Sequence, residues 1–268
     1  MTETLLRFVH LSDTHLSPDP NYGAGRHGSP HSSRAGAEAL VRAVNALPFR
    51  PDFILHTGDV VYDPDPAAYA VAQTVLGALQ APVYYVAGNH DHGPTLQATL
   101  GGIVAPAASY YYEREINGLQ LLVLDSNGPA EPPRGYIPDE QLDWLRERTS
   151  AVDARPLIVA VHHHLLPVNV PWLDGTMRTT NGEAVHAALL PARERLRGVF
   201  FGHVHQPLEM LRDGILYASA ASSWCQFHAY PDQAEDTTLA DSNSRPGFSI
   251  VTVTRQQTYL RRCQFAVG

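Results

Sequence analysis

The chain of 268 residues contains no lysine; all 19 of its basic residues are arginine. We read that absence as genomic composition bias, not as function. Cysteine is nearly absent too: Cys225 and Cys263 alone cannot build a disulfide framework in a chain of this size. No apolar stretch approaches the roughly 20 residues that cross a bilayer, so no membrane span is expected. The N-terminus, "MTETLLRFVHLSD", enters a strand pattern with no basic segment ahead of an apolar run, which argues against a signal peptide. A cytoplasmic protein is the expectation. Positive charge is in deficit, with a net charge of −8, and long nucleic acid wants a basic face. A small phosphorylated substrate is not excluded, because bound metal ions reverse the local sign of charge.

What is present is histidine. The chain has 14, crowded into a few turns. The first half alternates between strand and helix patterns. "LLRFVHLSD" (5–13), "PDFILHTGD" (51–59) and "APVYYVAG" (81–88) read as buried strands. Between and after them, 32–47 reads as an amphipathic helix behind a serine cap, 65–79 as a helix opened by Asp65 and Pro66, and 95–101 as a short helix. That order implies a largely parallel sheet with helices packed on it. Further on, 109–126 reads as two strands joined at Asn117-Gly118, a strong hairpin signal. A helix over 138–149, a strand over 155–164, a helix near 182–196 and a strand over 198–205 follow. The remainder reads as antiparallel strands turning at Asp213-Gly214 and near Gln256-Gln257, with 228–246 a surface loop. No internal repeat appears, and a single domain over 1–268 is expected.

Five of these strands end in polar clusters: Asp13 and His15; Asp59; Asn89 and His90; His162, His163 and His164; His203 and His205. In open α/β sheets ligands bind beyond the carboxyl ends of the strands, so parallel strands bring these residues to one rim. One polar residue after a strand is an ordinary turn, but five such clusters are not. Oxygen and nitrogen donors without cysteine suit Mn, Fe, Co, Ni or Zn. Seven donors exceed what one such ion takes from protein and suit two ions sharing a carboxylate. In Asp13-x-His15 and His203-x-His205, residues i and i+2 can reach one cavity.

On these residues the chain resembles the calcineurin-like metallophosphoesterases, and among them the bacterial class III cyclic nucleotide phosphodiesterases and glycerophosphodiesterases. The blocks D-x-H, G-D, G-N-H-D, H and G-H-x-H occur in order over 13–205. The resemblance implies an α/β fold, a four-layer αββα sandwich of two mixed β-sheets flanked by helices. It implies one cation held by Asp13, His15, Asp59 and His205 and a second by Asp59, Asn89, His162 and His203, with Asp59 shared. The register of "VHHHLLP" makes His162 the ligand, with His163 as its neighbour. A metal-bridging hydroxide attacks phosphorus in such sites, His90 faces the substrate, and Asp91 supports its imidazole; a helix-capping role for Asp91 is the alternative. Many relatives are homodimers.

Softer candidates surround this set. Tyr22, Arg26 and His27 lie in a loop that can reach substrate, and Trp172 in "LLPVNVPWLDGT" can wall the pocket or anchor an interface. His56 reads as a packed residue, Asp63 as a brace or a turn, His92 as an exposed turn, and Cys225 as an inert buried thiol near the rim. Two departures bear on substrate: "HHPP" has become "HHHL" at 162–165, and "DHGPTL" lacks the arginine often found there. A small phosphodiester such as cyclic AMP is the preferred class. A phosphomonoesterase or protein phosphatase stays open, as does a non-catalytic interaction module.

Overall fold

In a computed structural model describing residues 3–227, 229–234 and 245–268, the alternating first half folds as its pattern implies. Strands β1 (Thr4–Leu11), β2 (Phe53–His56) and β3 (Val83–Tyr85) run parallel. Helices α1 (Ser33–Asn45), α2 (Pro66–Leu76) and α3 (Gly93–Thr99) follow them in turn. Ser32 accepts a hydrogen bond from the Ala35 N–H, and Asp65 from the Ala68 N–H, so both expected caps satisfy free helix donors.

The second half supplies β4 (Tyr112–Ile116), β5 (Leu119–Val123), α4 (Asp139–Ser150) and β6 (Leu157–Ala160). Then come α5 (Pro171–Thr176), α6 (Gly182–Leu189), β7 (Leu196–Phe201), β8 (Glu209–Arg212), β9 (Ile215–Ser219), β10 (Gly247–Thr254) and β11 (Thr258–Gln264). Asn117 and Gly118 both have positive φ, 49° and 75°, the tight turn that lets β4 and β5 pair as a hairpin. The loop expected over 228–246 falls mostly outside the described residues.

The strands form two mixed sheets, ordered β11-β10-β1-β2-β3 and β4-β5-β6-β7-β9-β8. Their facing sides make a dry core. Phe8 stacks on Phe53 within the first sheet, centroids 4.7 Å apart, and meets Phe200 of the second edge-on at 5.2 Å. Period-two alternation sends Leu6 and Phe8 into this interface while Val9 and Leu11 meet Leu40 and Val44 of α1 on the outer face. On the far side Leu142, Leu145, Val185 and Leu189 of α4 and α6 cover Val159, Val199 and Phe201. The order is helix, sheet, sheet, helix, the four-layer α/β sandwich that the resemblance implies.

One element departs from the sequence reading. The stretch around Trp172 forms α5, and Trp172 is only 6% exposed, packed in the outer core with Leu173 and Val170. It is neither a pocket wall nor an exposed anchor. No helix among the described residues is long and apolar enough to cross a membrane.

Candidate metal centre

The parallel strands β1, β2 and β3 of one sheet and β6 and β7 of the other deliver their carboxyl ends to one edge of the sandwich. The turns there are tied together by backbone. The Asp13 N–H donates to the Gly58 carbonyl and the His15 N–H to the Asp59 carbonyl, each at 3.0 Å. Asp13, His15, Asp59, His203 and His205 all have φ between 45° and 70°, a left-handed conformation uncommon away from glycine. Such backbone persists where the surroundings overdetermine it, and it clusters at functional sites. Two motif glycines answer to crowding: Gly58 has φ 99°, and a Cβ there would sit 2.5 Å from His162 Nδ1, while one on Gly88 would collide with the Asp59 carboxylate.

These turns gather two groups of side chains. In the first, His15 Nε2 and His205 Nε2 lie 3.0 Å apart, with His205 3.4 Å and His15 3.9 Å from Asp13 Oδ1. In the second, His162 Nε2 lies 3.1 Å from Asn89 Oδ1, and the His203 ring packs against the His162 ring at 4.9 Å. Asp59 joins them. Its Oδ2 is 3.6 Å from His15 Nε2 and 3.3 Å from His162 Nε2, while its Oδ1 accepts the His90 N–H at 3.0 Å.

The chemistry of the donors fits cations. Burial drives His15 and His203 well below the ordinary imidazole range and takes His205 down to about 4, leaving neutral rings with lone pairs. Burial pushes the other way on Asp13, lifting its carboxyl to about 7. Burial would also lower His162, but Asp59 and Asp13 outweigh it and hold that imidazole up to about 9. Buried carboxylates here demand positive charge. Asp13, His15, Asp59 and His205 have donor atoms within 4.8 Å of one another, as do His162, His163 and His203. Second partners hold the rings: His162 Nδ1 donates to the Thr57 carbonyl at 2.7 Å and His205 Nδ1 to the Cys225 carbonyl at 3.0 Å, the support that metal-ligating histidines need.

The remaining candidates divide. His90 lines the cleft, and its Nδ1 meets the Tyr62 carbonyl at 2.7 Å. A carbonyl only accepts, so Nδ1 carries the proton. Asp91 does not touch His90, which corrects the expected pairing. Its carboxylate accepts the N–H groups of Gly88, Val60 and Val61 at 2.9, 3.1 and 3.2 Å. Nor does it cap α3, whose first turn has no side-chain cap. His27 reaches the cleft, whereas Tyr22 packs behind Tyr62 at 4.6 Å and the exposed Arg26 lies over the Tyr22 ring. His163 faces the Ser126 hydroxyl at 2.6 Å, and His164 lies 3.6 Å from Asp174. His92 meets Thr95 and His56 meets Thr14.

Sequence reasoning missed most of the cleft wall. Tyr62, Met177, Trp224 and Phe227 line a hollow of about 200 Å³ beside the donors, with Cys225, whose thiol burial keeps protonated. The usable signal was positional: Trp224 and Phe227 follow β9, a further parallel strand ending at the same edge. A larger hollow, about 630 Å³ around Val44, Pro48 and Phe49, carries Arg50 as its one ionisable side chain and offers no chemistry.

Comparisons with known proteins agree with this geometry. A model of the calcineurin-like phosphoesterase family matches residues 6–207. A probable cyclic nucleotide phosphodiesterase of Psychrobacter arcticus is 34% identical over 221 residues, 79% of this chain and 76% of the relative. A glycerophosphodiester phosphodiesterase, GpdQ, of Enterobacter lignolyticus is 30% identical, covering 85% of this chain and 80% of its own length. The crystal structure of a dimetal phosphatase from Danio rerio superposes with a TM-score of 0.69 over 98% of this chain and 100% of the other. At 15% identity, that last likeness shows a common fold and nothing finer.

Proposed function

Because the chain belongs to the calcineurin-like phosphoesterase family, we propose that its cleft hydrolyses a small phosphodiester, a cyclic nucleotide or a glycerophosphodiester, with two divalent or trivalent cations of Mn, Fe, Zn, Co or Ni. The observation that carries this reading is the Asp59 carboxylate, one oxygen of which faces His15 on one side and His162 on the other. In this assignment Asp13, His15, Asp59 and His205 hold one cation, and Asp59, Asn89, His162 and His203 the other. Cations bound there acidify water and neutralise phosphoryl oxygens as charge shifts between attacking and leaving groups.

The protein's own groups do the positioning. Tyr62 fixes the His90 tautomer through its carbonyl, which leaves Nε2 to meet the phosphate or, when protonated, the departing alkoxide. Asp91 acts on backbone: it clamps the turn after β3 to the turn after β2 and so holds Asn89 and Asp59 in register. No arginine or lysine lines the cleft among the described residues. The singly charged diester therefore suits it better than a dianionic monoester, whose extra charge has no fixed partner there. Two free cysteines and no disulfide support a cytoplasmic setting, and family resemblance supports a homodimer.

The test is a panel of bis-p-nitrophenyl phosphate, p-nitrophenyl phosphate and cyclic AMP, run with added Mn²⁺ and with chelator. Metal-dependent turnover of the two diesters ahead of the monoester is expected. A faster monoester reaction would make the protein a phosphomonoesterase, and no turnover with any metal would make it an interaction module.

A further inference from the structure

Thr14 stands between two candidate donors, Asp13 and His15, and is fully buried. Asp13 and His15 turn toward the cation cavity, so the residue between them turns the other way. There the Thr14 hydroxyl lies 3.1 Å from His56 Nε2 and donates to the Val60 carbonyl at 2.9 Å. On the opposite side of the His56 ring, Nδ1 accepts the Gly58 N–H at 3.3 Å. The direction of every proton in this chain follows. An amide N–H only donates, so Nδ1 is bare and the neutral ring carries its proton on Nε2. That N–H donates to Thr14, whose own proton goes to Val60. Gly58 and Val60, the two ends of the chain, flank Asp59. The fully buried His56 ring thus ties the turn that carries Asp13 and His15 to the turn that carries Asp59.

We propose that His56 and Thr14 are a positioning pair that sets the spacing of these two turns, and with it the affinity for the cation assigned to Asp13, His15, Asp59 and His205. The inference rests on the two-cation reading above and deepens it with two residues that are not donors. Three of that cation's four donors come from the two tied turns, whereas the second cation takes Asp59 alone from them. Asp13, His15 and Asp59 hold φ of 55°, 45° and 53°, left-handed backbone that lasts where its surroundings overdetermine it. Backbone hydrogen bonds from Asp13 to Gly58 and from His15 to Asp59 do part of that work. The Thr14–His56 link adds a side-chain tie in a buried place, where losing one partner strands the other's polar group. Groups that orient the ligands of a metal carry about 10–100-fold in its affinity.

The experiment titrates the full chain, stripped of metal by chelator, with Mn²⁺, following free Mn²⁺ by electron paramagnetic resonance. Wild type, Thr14→Val, Thr14→Ser, His56→Leu and the Thr14→Val/His56→Leu double variant are each measured well below their own Tm. Thr14→Val removes the hydroxyl at nearly constant shape. It should weaken one cation about tenfold or more and the other by less than about threefold. Thr14→Ser keeps the hydroxyl and should bind both cations as wild type does. The double variant should bind about as the weaker single variant does, because both substitutions break one link. Valine and serine variants that bind alike, or equal weakening of both cations by valine, would overturn the positioning pair while leaving the two-cation reading intact. Wild type that takes up fewer than two Mn²⁺ would overturn both. The two Thr14 variants decide the question even if His56→Leu folds poorly.

Discussion

Asp91 accepts three backbone N–H groups, from Gly88, Val60 and Val61, and through them pins together two turns of the metal centre. Burial pushes its carboxyl up to about 7, partly offset by those same donors. Removing the acceptor strands donors that have no other partner in a water-poor turn. Asp91→Ala should therefore destabilise the fold by about 3 kcal/mol, a fall in Tm of roughly 10 °C for a chain of this size. The pH profile of the residual activity should keep its shape, because His90 is set by the Tyr62 carbonyl. Thermal denaturation and a pH–rate profile check both points; an altered profile with unchanged Tm would restore the His90–Asp91 pairing. That pairing was the natural reading of "NHDH", since neighbours in sequence are easily taken for partners. Consecutive residues in a turn point apart, and two of the three donors that claim Asp91, those of Val60 and Val61, lie some 30 residues away. No local pattern announces them.

Among the elements, the strands with motif ends were legible because hydrophobic runs closed by Gly-Asp, Gly-Asn-His or Gly-His admit few other readings. The short α5 was not, because Pro171 and the residues before it look like loop, and that error carried Trp172 to the wrong face. The pairing of β9 with β7 was hidden for another reason. Its hairpin partner β8 is local and readable, whereas a parallel neighbour is set by packing across distant segments. The β1–β2 pair carries its own expectation. His10 is fully buried, bonds Thr57 Oγ1 at 3.0 Å and is lowered by burial to about 3 from 6.5. The folded value lies below the unfolded one, so the unfolded chain binds the extra proton between these limits. Its contribution is intact above pH 6.5 and is lost as pH falls, by about 1.4 kcal/mol per unit. Urea denaturation at pH 7, 5 and 4 should show that slope reduced in His10→Gln; an unchanged slope would remove His10 from the account of acid sensitivity.

At the scale of the molecule, the acidic net charge of −8 and a cleft lined by no arginine among the described residues leave recognition of phosphate to the cations proposed at the donor clusters, not to a basic surface. The clustering of the seven candidate donors was readable from sequence because each sits at a strand end in a recognisable block, and the sandwich then brings blocks from both sheets to one edge. The wall was harder to read, since apolar residues in turns carry no signature of what they face beyond their place after a strand such as β9. The proposed function depends on Asp59 standing between two cation positions. Anomalous diffraction from crystals soaked in Mn²⁺ tests that most directly. Two peaks about 3.5–4 Å apart, one among Asp13, His15 and His205 and the other among Asn89, His162 and His203, with Asp59 between them, are the predicted result. A single peak, or none, would contradict it.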